Sequence, residues 1–204
     1  MAAYRLGLYV WRVLKSVAIA SLVFASPAFA ASKAAVTIDF STYPTGQWLP
    51  GSALSAKGFV FPAKQCGPIG CHGWWVGGDM YDPGLQGRAN SGPISFRVAA
   101  PASSIAIEVM AEVQFKGKFT ISAFDAKGKL VGRKTVTRQT DEGLPGFEGF
   151  GYFPMAMGRL RGACSFTISS SWLASSGYQY VDAPFAVNFV KIHHQQSPSK
   201  GCHR

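Results

Sequence analysis

Residues 66–84, CGPIGCHGWWVGGDMYDPG, concentrate more reactive and recognition-competent side chains than any other run of the chain. Cys66, Cys71 and His72 are of metal-ligating type, Trp74, Trp75 and Tyr81 are aromatic, and Asp79 and Asp82 are acidic. Three chemistries are open: a metal centre, a disulfide-pinned loop, or an aromatic platform for a ligand. Zinc sites close with four ligands, and this run supplies three. No paired C-x-x-C motif provides the fourth, and Cys202-His203 stands far away in a polar tail. A thiolate centre would also have to survive an oxidising compartment. Gly67, Pro68 and Gly70 let the six residues from Cys66 to Cys71 close on themselves, so a local bridge is expected and a metal is not.

A pinned loop gives the following aromatics a fixed base. Aromatic faces stack on the apolar C–H surface of a pyranose, and carboxylates accept hydrogen bonds from its hydroxyls. Trp74, Trp75, Asp79, Tyr81 and Asp82 are therefore the expected ligand-binding residues, with glycines 73, 77 and 78 allowing close approach to the backbone. Neighbouring residues of an extended chain point to opposite sides, so one of the two tryptophans competes for a place in the core.

Enzyme signatures are missing from the chain. It has no G-x-S-x-G elbow, no H-E-x-x-H and no phosphate-binding glycine loop. Glu108 and Glu112 lie four residues apart on one strand pattern, about 13 Å along the backbone. Paired glycosidase carboxylates stand closer, at about 5 Å or 6.5–9.5 Å. A solvent-facing acidic row accounts for them better. No catalytic residue and no cofactor is expected, and an enzyme acting on polysaccharide stays the third choice.

The elements that must position these residues lie outside the cytosol by every sequence sign. Residues 1–30 carry Arg5, Arg12 and Lys15, then a short apolar run, then Ala28-Phe29-Ala30, the three-part pattern of a secretory signal. The apolar run is shorter than the roughly 20 residues of a membrane span. No later segment is apolar enough to span. Cleavage after Ala30 leaves 204 − 30 = 174 residues, one domain's worth. Residues 31–192 are expected to form that domain and 193–204 a polar tail. The protein would then be periplasmic or extracellular.

An even cysteine count in an exported chain favours disulfides, with Cys164–Cys202 as the long-range partner of Cys66–Cys71. The net charge of +10 falls to +7 once the three signal cations are removed. Lys116, Lys118, Lys127, Lys129, Arg133, Lys134 and Arg138 gather against Asp125, a bias that attracts anionic polymers or forms a merely solvated strand pair. No nucleic-acid module accompanies it, so a nucleic-acid partner is not expected.

Period-two alternation is clearest in SIAIEVMAEV (104–113), where Ile105, Ile107, Val109, Ala111 and Val113 share a face. Similar runs occur at 35–40, 57–61, 94–99, 118–126, 129–138, 163–172 and 185–192, with Lys127-Gly128 as a hairpin turn. Residues 141–154 read as a loop or an irregular edge strand. Eight or so such strands without an amphipathic helix predict an all-β, antiparallel two-sheet β-sandwich.

TIDFSTYPTG…GFVF, the pair SIAIEVMAE…GKFTISAFDAKGKLVGRKTVT, and the closing FAVNFVKI together resemble the bacterial secreted galactose-binding-like jelly rolls. The resemblance implies a jelly-roll sandwich with a carbohydrate-binding or envelope role. The family's last strand carries Asp where this chain has Asn188, which weakens any structural calcium site there. The function expected is a non-catalytic module for carbohydrate or an envelope polysaccharide. The alternative is a structural component whose partner is an envelope protein.

Overall fold

The computed structural model describes residues 35–67, 70–77, 84–87, 93–112, 117–138, 150–172, 185–195 and 201–202. All belong to the unit spanning Ser32–Arg204. The expected signal, residues 1–30, lies outside the described residues. In chain order the strands are β1 (Val36–Asp39), β2 (Gln47–Leu49), β3 (Phe59–Val60), β4 (Gln65–Gly67), β5 (Gly70–His72), β6 (Trp74–Gly77) and β7 (Gly84–Gly87). They continue as β8 (Ile94–Glu112), β9 (Gly117–Phe124), β10 (Leu130–Arg138), β11 (Phe150–Met157), β12 (Ala163–Trp172) and β13 (Phe185–His194). A 3-10 turn at Phe40–Thr42 and one helical turn, α1 (Gly51–Leu54), are the helical pieces among the described residues. None of the described helices is long and apolar enough to cross a membrane.

The chain is an all-β, antiparallel β-sandwich, and β8 belongs to both of its layers. The first half of β8 pairs with β12 and β3, and β9 and β10 follow beyond β12. Its second half pairs with β11 on one side and β13 on the other. β13 then carries β1 and β7 along its far edge, and β6 and β2 complete that layer. Every one of these pairings is antiparallel.

The crossing between layers is written into β8 as a change of parity. Ile94, Phe96 and Val98 are buried at even positions, whereas Ile105, Ile107, Val109 and Ala111 are buried at odd ones. The switch falls across AAPASS (99–104), where Pro101 interrupts the ladder and the register shifts in both β12 and β13. The sequence pattern reads this stretch as a break between two strands. The backbone instead bends through it, because each half needs its apolar face against the same core.

That core lies between the layers. Phe119 of β9 packs edge-on against Phe153 of β11, with ring centroids 4.9 Å apart, and also meets Phe185 of β13. Nearer the other end, Phe96 stacks on Phe166 at 5.4 Å, and Phe61 bridges Phe96 and Trp74. Burying each such side chain contributes about 1.5–3 kcal/mol.

Both expected disulfides are formed. Cys66–Cys71 joins directly opposed positions of the β4–β5 hairpin, and Cys164–Cys202 fixes the C-terminal segment to β12. The segment is also tied to β8, where the Cys202 N–H donates to the Ala99 carbonyl and Arg97 Nη2 donates to the Cys202 carbonyl. β13 runs two residues beyond the expected end at Ile192. His193 and His194 are half-buried strand residues, and His194 Nδ1 lies 3.0 Å from the Ala100 carbonyl oxygen. Residues 150–157 form a regular strand against β8, where the sequence suggests a loop or irregular edge.

Candidate ligand platform on the β2–β6 edge

Trp74 and Trp75 diverge as adjacent strand residues must. Trp74 is 1% exposed, its ring is edge-on to Phe61, and its Nε1–H donates to the Pro62 carbonyl at 2.7 Å. A ring so enclosed has no face left for a ligand, so Trp74 moves from the expected binding set to the core. Its carbonyl partner is accommodated by Gly51, because any Cβ at that position would collide with the Pro62 carbonyl oxygen.

Trp75 takes the outward side and is joined there by a residue the sequence pattern does not single out. The β2–β6 register sets Trp48 opposite Trp75, and their ring centroids are 5.3 Å apart at an interplanar angle of 62°. Trp48 is 44% exposed. Its sequence surroundings, TGQWLPG, read as a Pro/Gly-rich connection, and only strand pairing across 26 intervening positions brings it to Trp75. His72 extends the cluster, with its ring 5.7 Å from that of Trp48. His72 is therefore an aromatic neighbour, opposite Gln65 in the pinned hairpin, and its Nε2 is buried without a hydrogen-bond partner.

Local chain geometry holds the cluster together. A Cβ at Gly73 would stand 3.1 Å from the Leu49 carbonyl oxygen and 3.3 Å from Trp48 Cβ. Glycine at this junction lets β2 lie tight against the β5–β6 segment, which sets the Trp48–Trp75 contact. The disulfide closes the hairpin that carries His72.

Asp79, Tyr81 and Asp82 lie outside the described residues, in the connection between β6 and β7. The two ends of that connection are described. Gly77 pairs with Gly84, on the same outward face as Trp75. Gly84 packs tightly against β13: a Cβ there would stand 2.9 Å from Asn188 Oδ1, a buried oxygen without a partner, and 3.0 Å from Ala186 Cβ. Asn188 Nδ2 donates to Glu108 Oε2 at 3.2 Å. Asparagine at the position where the jelly-roll pattern carries Asp thus has a local reason. An amide can donate to Glu108, whereas a second carboxylate would repel it.

The outward face of this layer offers two described carboxylates. Asp39 and Glu108 both register with Phe189 from opposite sides, which puts their backbones roughly 10 Å apart across two strand spacings. Asp39 Oδ1 accepts from the Ser41 N–H and caps the 3-10 turn, and Glu108 accepts from Asn188. Asp39 is thus engaged with a backbone N–H, and Glu108 with a neighbouring side chain. Among the described residues no group of three or more His, Cys, Asp or Glu side chains could hold a metal ion.

The chain matches no protein-family model and no curated protein. Solved structures similar to it include BiXyn10A CBM1 in apo form, at 10% identity and a TM-score of 0.37, covering 78% of this chain and 97% of that one. The K1 cleaved adhesin domain of Lys-gingipain from Porphyromonas gingivalis W83 has 10% identity and a TM-score of 0.36, with 80% and 99% covered. A carbohydrate-binding module from Cellvibrio mixtus lichenase 5A, in complex with cellotriose, has 13% identity and a TM-score of 0.29, with 78% and 97% covered. Likenesses this loose say nothing of what the present chain binds.

Proposed function

We propose that this protein is an exported, non-catalytic carbohydrate-binding module of galactose-binding-like jelly-roll type, which takes its glycan on the Trp48–Trp75 corner of the β2–β6 edge. The observation that carries the reading is the pairing of an exposed Trp48 with Trp75 on an outward, glycine-bordered face. Tryptophan exposed on a sheet edge invites aggregation unless it serves recognition, and a pyranose covers one ring face. Asp79, Tyr81 and Asp82 complete the site from the adjoining connection, the carboxylates accepting from sugar hydroxyls and the Tyr81 ring adding a second contact. Two disulfides fit an oxidising compartment outside the cytosol.

The angle between the rings narrows the ligand. Rings inclined at 62° cannot both lie flat on one plane. A flat crystalline polysaccharide surface would engage one of them, whereas a single soluble chain or a chain end can meet both by turning. The proposal is tested by glycan-array binding with the folded protein beside Trp75→Ala and Trp48→Ala variants. Binding to soluble oligosaccharides that either substitution abolishes supports it. No signal from well-folded protein across neutral and acidic glycans would overturn it and redirect the search to a protein partner.

A further inference from the structure

The opposite layer presents a face of different chemistry. Residues of β10, β9, β12 and β8 that register with one another and point outward form rows. One row runs Arg133–Ser122–Thr167–Ser95, in which Ser122 itself is buried, and the next runs Thr135–Thr120–Ser169. Lys118 follows beside Ser171. Hydroxyl pairs tie the strands together: Ser95 Oγ lies 3.2 Å from Thr167 Oγ1, and Thr120 Oγ1 lies 3.0 Å from Thr135 Oγ1. Strand geometry makes this plate about 14 Å across and about 20 Å long.

Its charge is one-sided. Lys118 and Arg133 are exposed on it, Lys127 and Lys129 are exposed in the turn at its end, and its outward described positions hold no carboxylate. Asp125, in the turn beside these two lysines, uses Oδ1 to accept from the backbone N–H groups of Lys127 and Lys129, so it is occupied in shaping the turn. Hydroxyls on a rigid sheet are donors and acceptors already spaced by the strands, at little cost in side-chain entropy.

We infer that this hydroxyl-lined, cation-edged face of β10–β9–β12–β8 is a second binding surface, and that its ligand is an anionic polysaccharide carrying sulfate or carboxylate groups. The cations meet the acidic groups while the Ser and Thr rows meet sugar hydroxyls. A nucleic acid fits less well. Single-stranded bases need aromatic stacking platforms, and Phe124, the ring among the plate's described positions, stands at its border. This surface lies on the other layer from the Trp48–Trp75 corner, so the inference goes beyond the function proposed above.

The test is binding to immobilised dextran sulfate, with uncharged dextran as the control, for the wild type and three folded double variants. Lys118→Gln/Arg133→Gln should weaken dextran sulfate binding about tenfold or more. Arg159→Gln/Lys191→Gln removes the same charge from exposed positions off the plate and should change it little. Trp48→Ala/Trp75→Ala should leave it intact, which separates this surface from the proposed glycan corner. Added salt should weaken wild-type binding, as screening of exposed charges requires. The inference fails if the two charge variants lose affinity equally, if dextran binds as well as dextran sulfate, or if single-stranded DNA of equal charge binds as tightly.

Discussion

Substituting Trp74 separates the core reading from the ligand reading most cleanly. Its side chain is 1% exposed, lies edge-on to Phe61 at 5.4 Å, and donates to the Pro62 carbonyl at 2.7 Å. Trp74→Ala removes the ring and leaves a cavity, at a cost of about 3–5 kcal/mol for a buried aromatic. Trp74→Phe keeps most of the ring but orphans the Pro62 carbonyl, which costs about 1–3 kcal/mol. For a domain of this size each kcal/mol lowers Tm by about 2–4 °C, so the expected losses are about 6–20 °C for alanine and about 2–12 °C for phenylalanine. Trp48→Ala, at a 44% exposed position, should move Tm by far less. The assay is thermal unfolding followed by near-ultraviolet circular dichroism, run beside glycan retention. A Trp74→Ala protein that melts with the wild type yet no longer retains glycan would refute the placement of Trp74 in the core.

Three further outcomes follow from the same geometry. Opening Cys164–Cys202, which closes a sequence separation of 38, should cost about 4 kcal/mol against about 2 kcal/mol for Cys66–Cys71 with its separation of 5, read from urea midpoints of the paired Cys→Ser variants. Asn188→Asp sets a carboxylate beside Glu108, so at least one of the two has a raised pKa in the folded state. Such a group keeps its stability contribution below the unfolded pKa of about 4 and loses it as pH rises through the folded value. The variant should therefore match the wild type most closely in acid and fall behind it at neutral pH, in urea unfolding at the two conditions. Burial raises the Tyr43 phenol above 10.0, so its spectrophotometric titration should end above that of a free tyrosine, and stability should fall as pH passes the raised value.

Much of the strand inventory was legible in the chain itself. Alternation in 104–113, 118–126 and 163–172 marks half-buried strands because side chains of an extended backbone alternate and one sheet face must be covered. The same local logic located the Lys127-Gly128 turn, where Gly128 adopts φ +79, and the Cys66–Cys71 bridge, where glycines flank a short closing loop. Shorter pieces escaped it. β2, β6 and β7 have three or four residues each and little alternation, and they are strands because neighbours supply their ladders. The 150–157 segment has the same character, extended by its pairing with β8.

The candidate site divides along the same line. Adjacent tryptophans on an extended chain diverge, and the sequence alone went no further than setting one of them in competition for the core while both were expected to bind ligand. Which of them is buried was decided by Phe61, Pro62 and Gly51, residues whose proximity to Trp74 depends on the packing of α1 and the chain after β3. Trp48 is a partner of Trp75 through a register set by the β2–β6 pairing and by the missing side chain at Gly73. The passage of β8 from one layer to the other likewise became a bend rather than a break because both halves bury their apolar faces in one core. Composition and alternation are local properties and can be read along the chain; a binding surface is made of residues that only the paired and packed strands bring side by side.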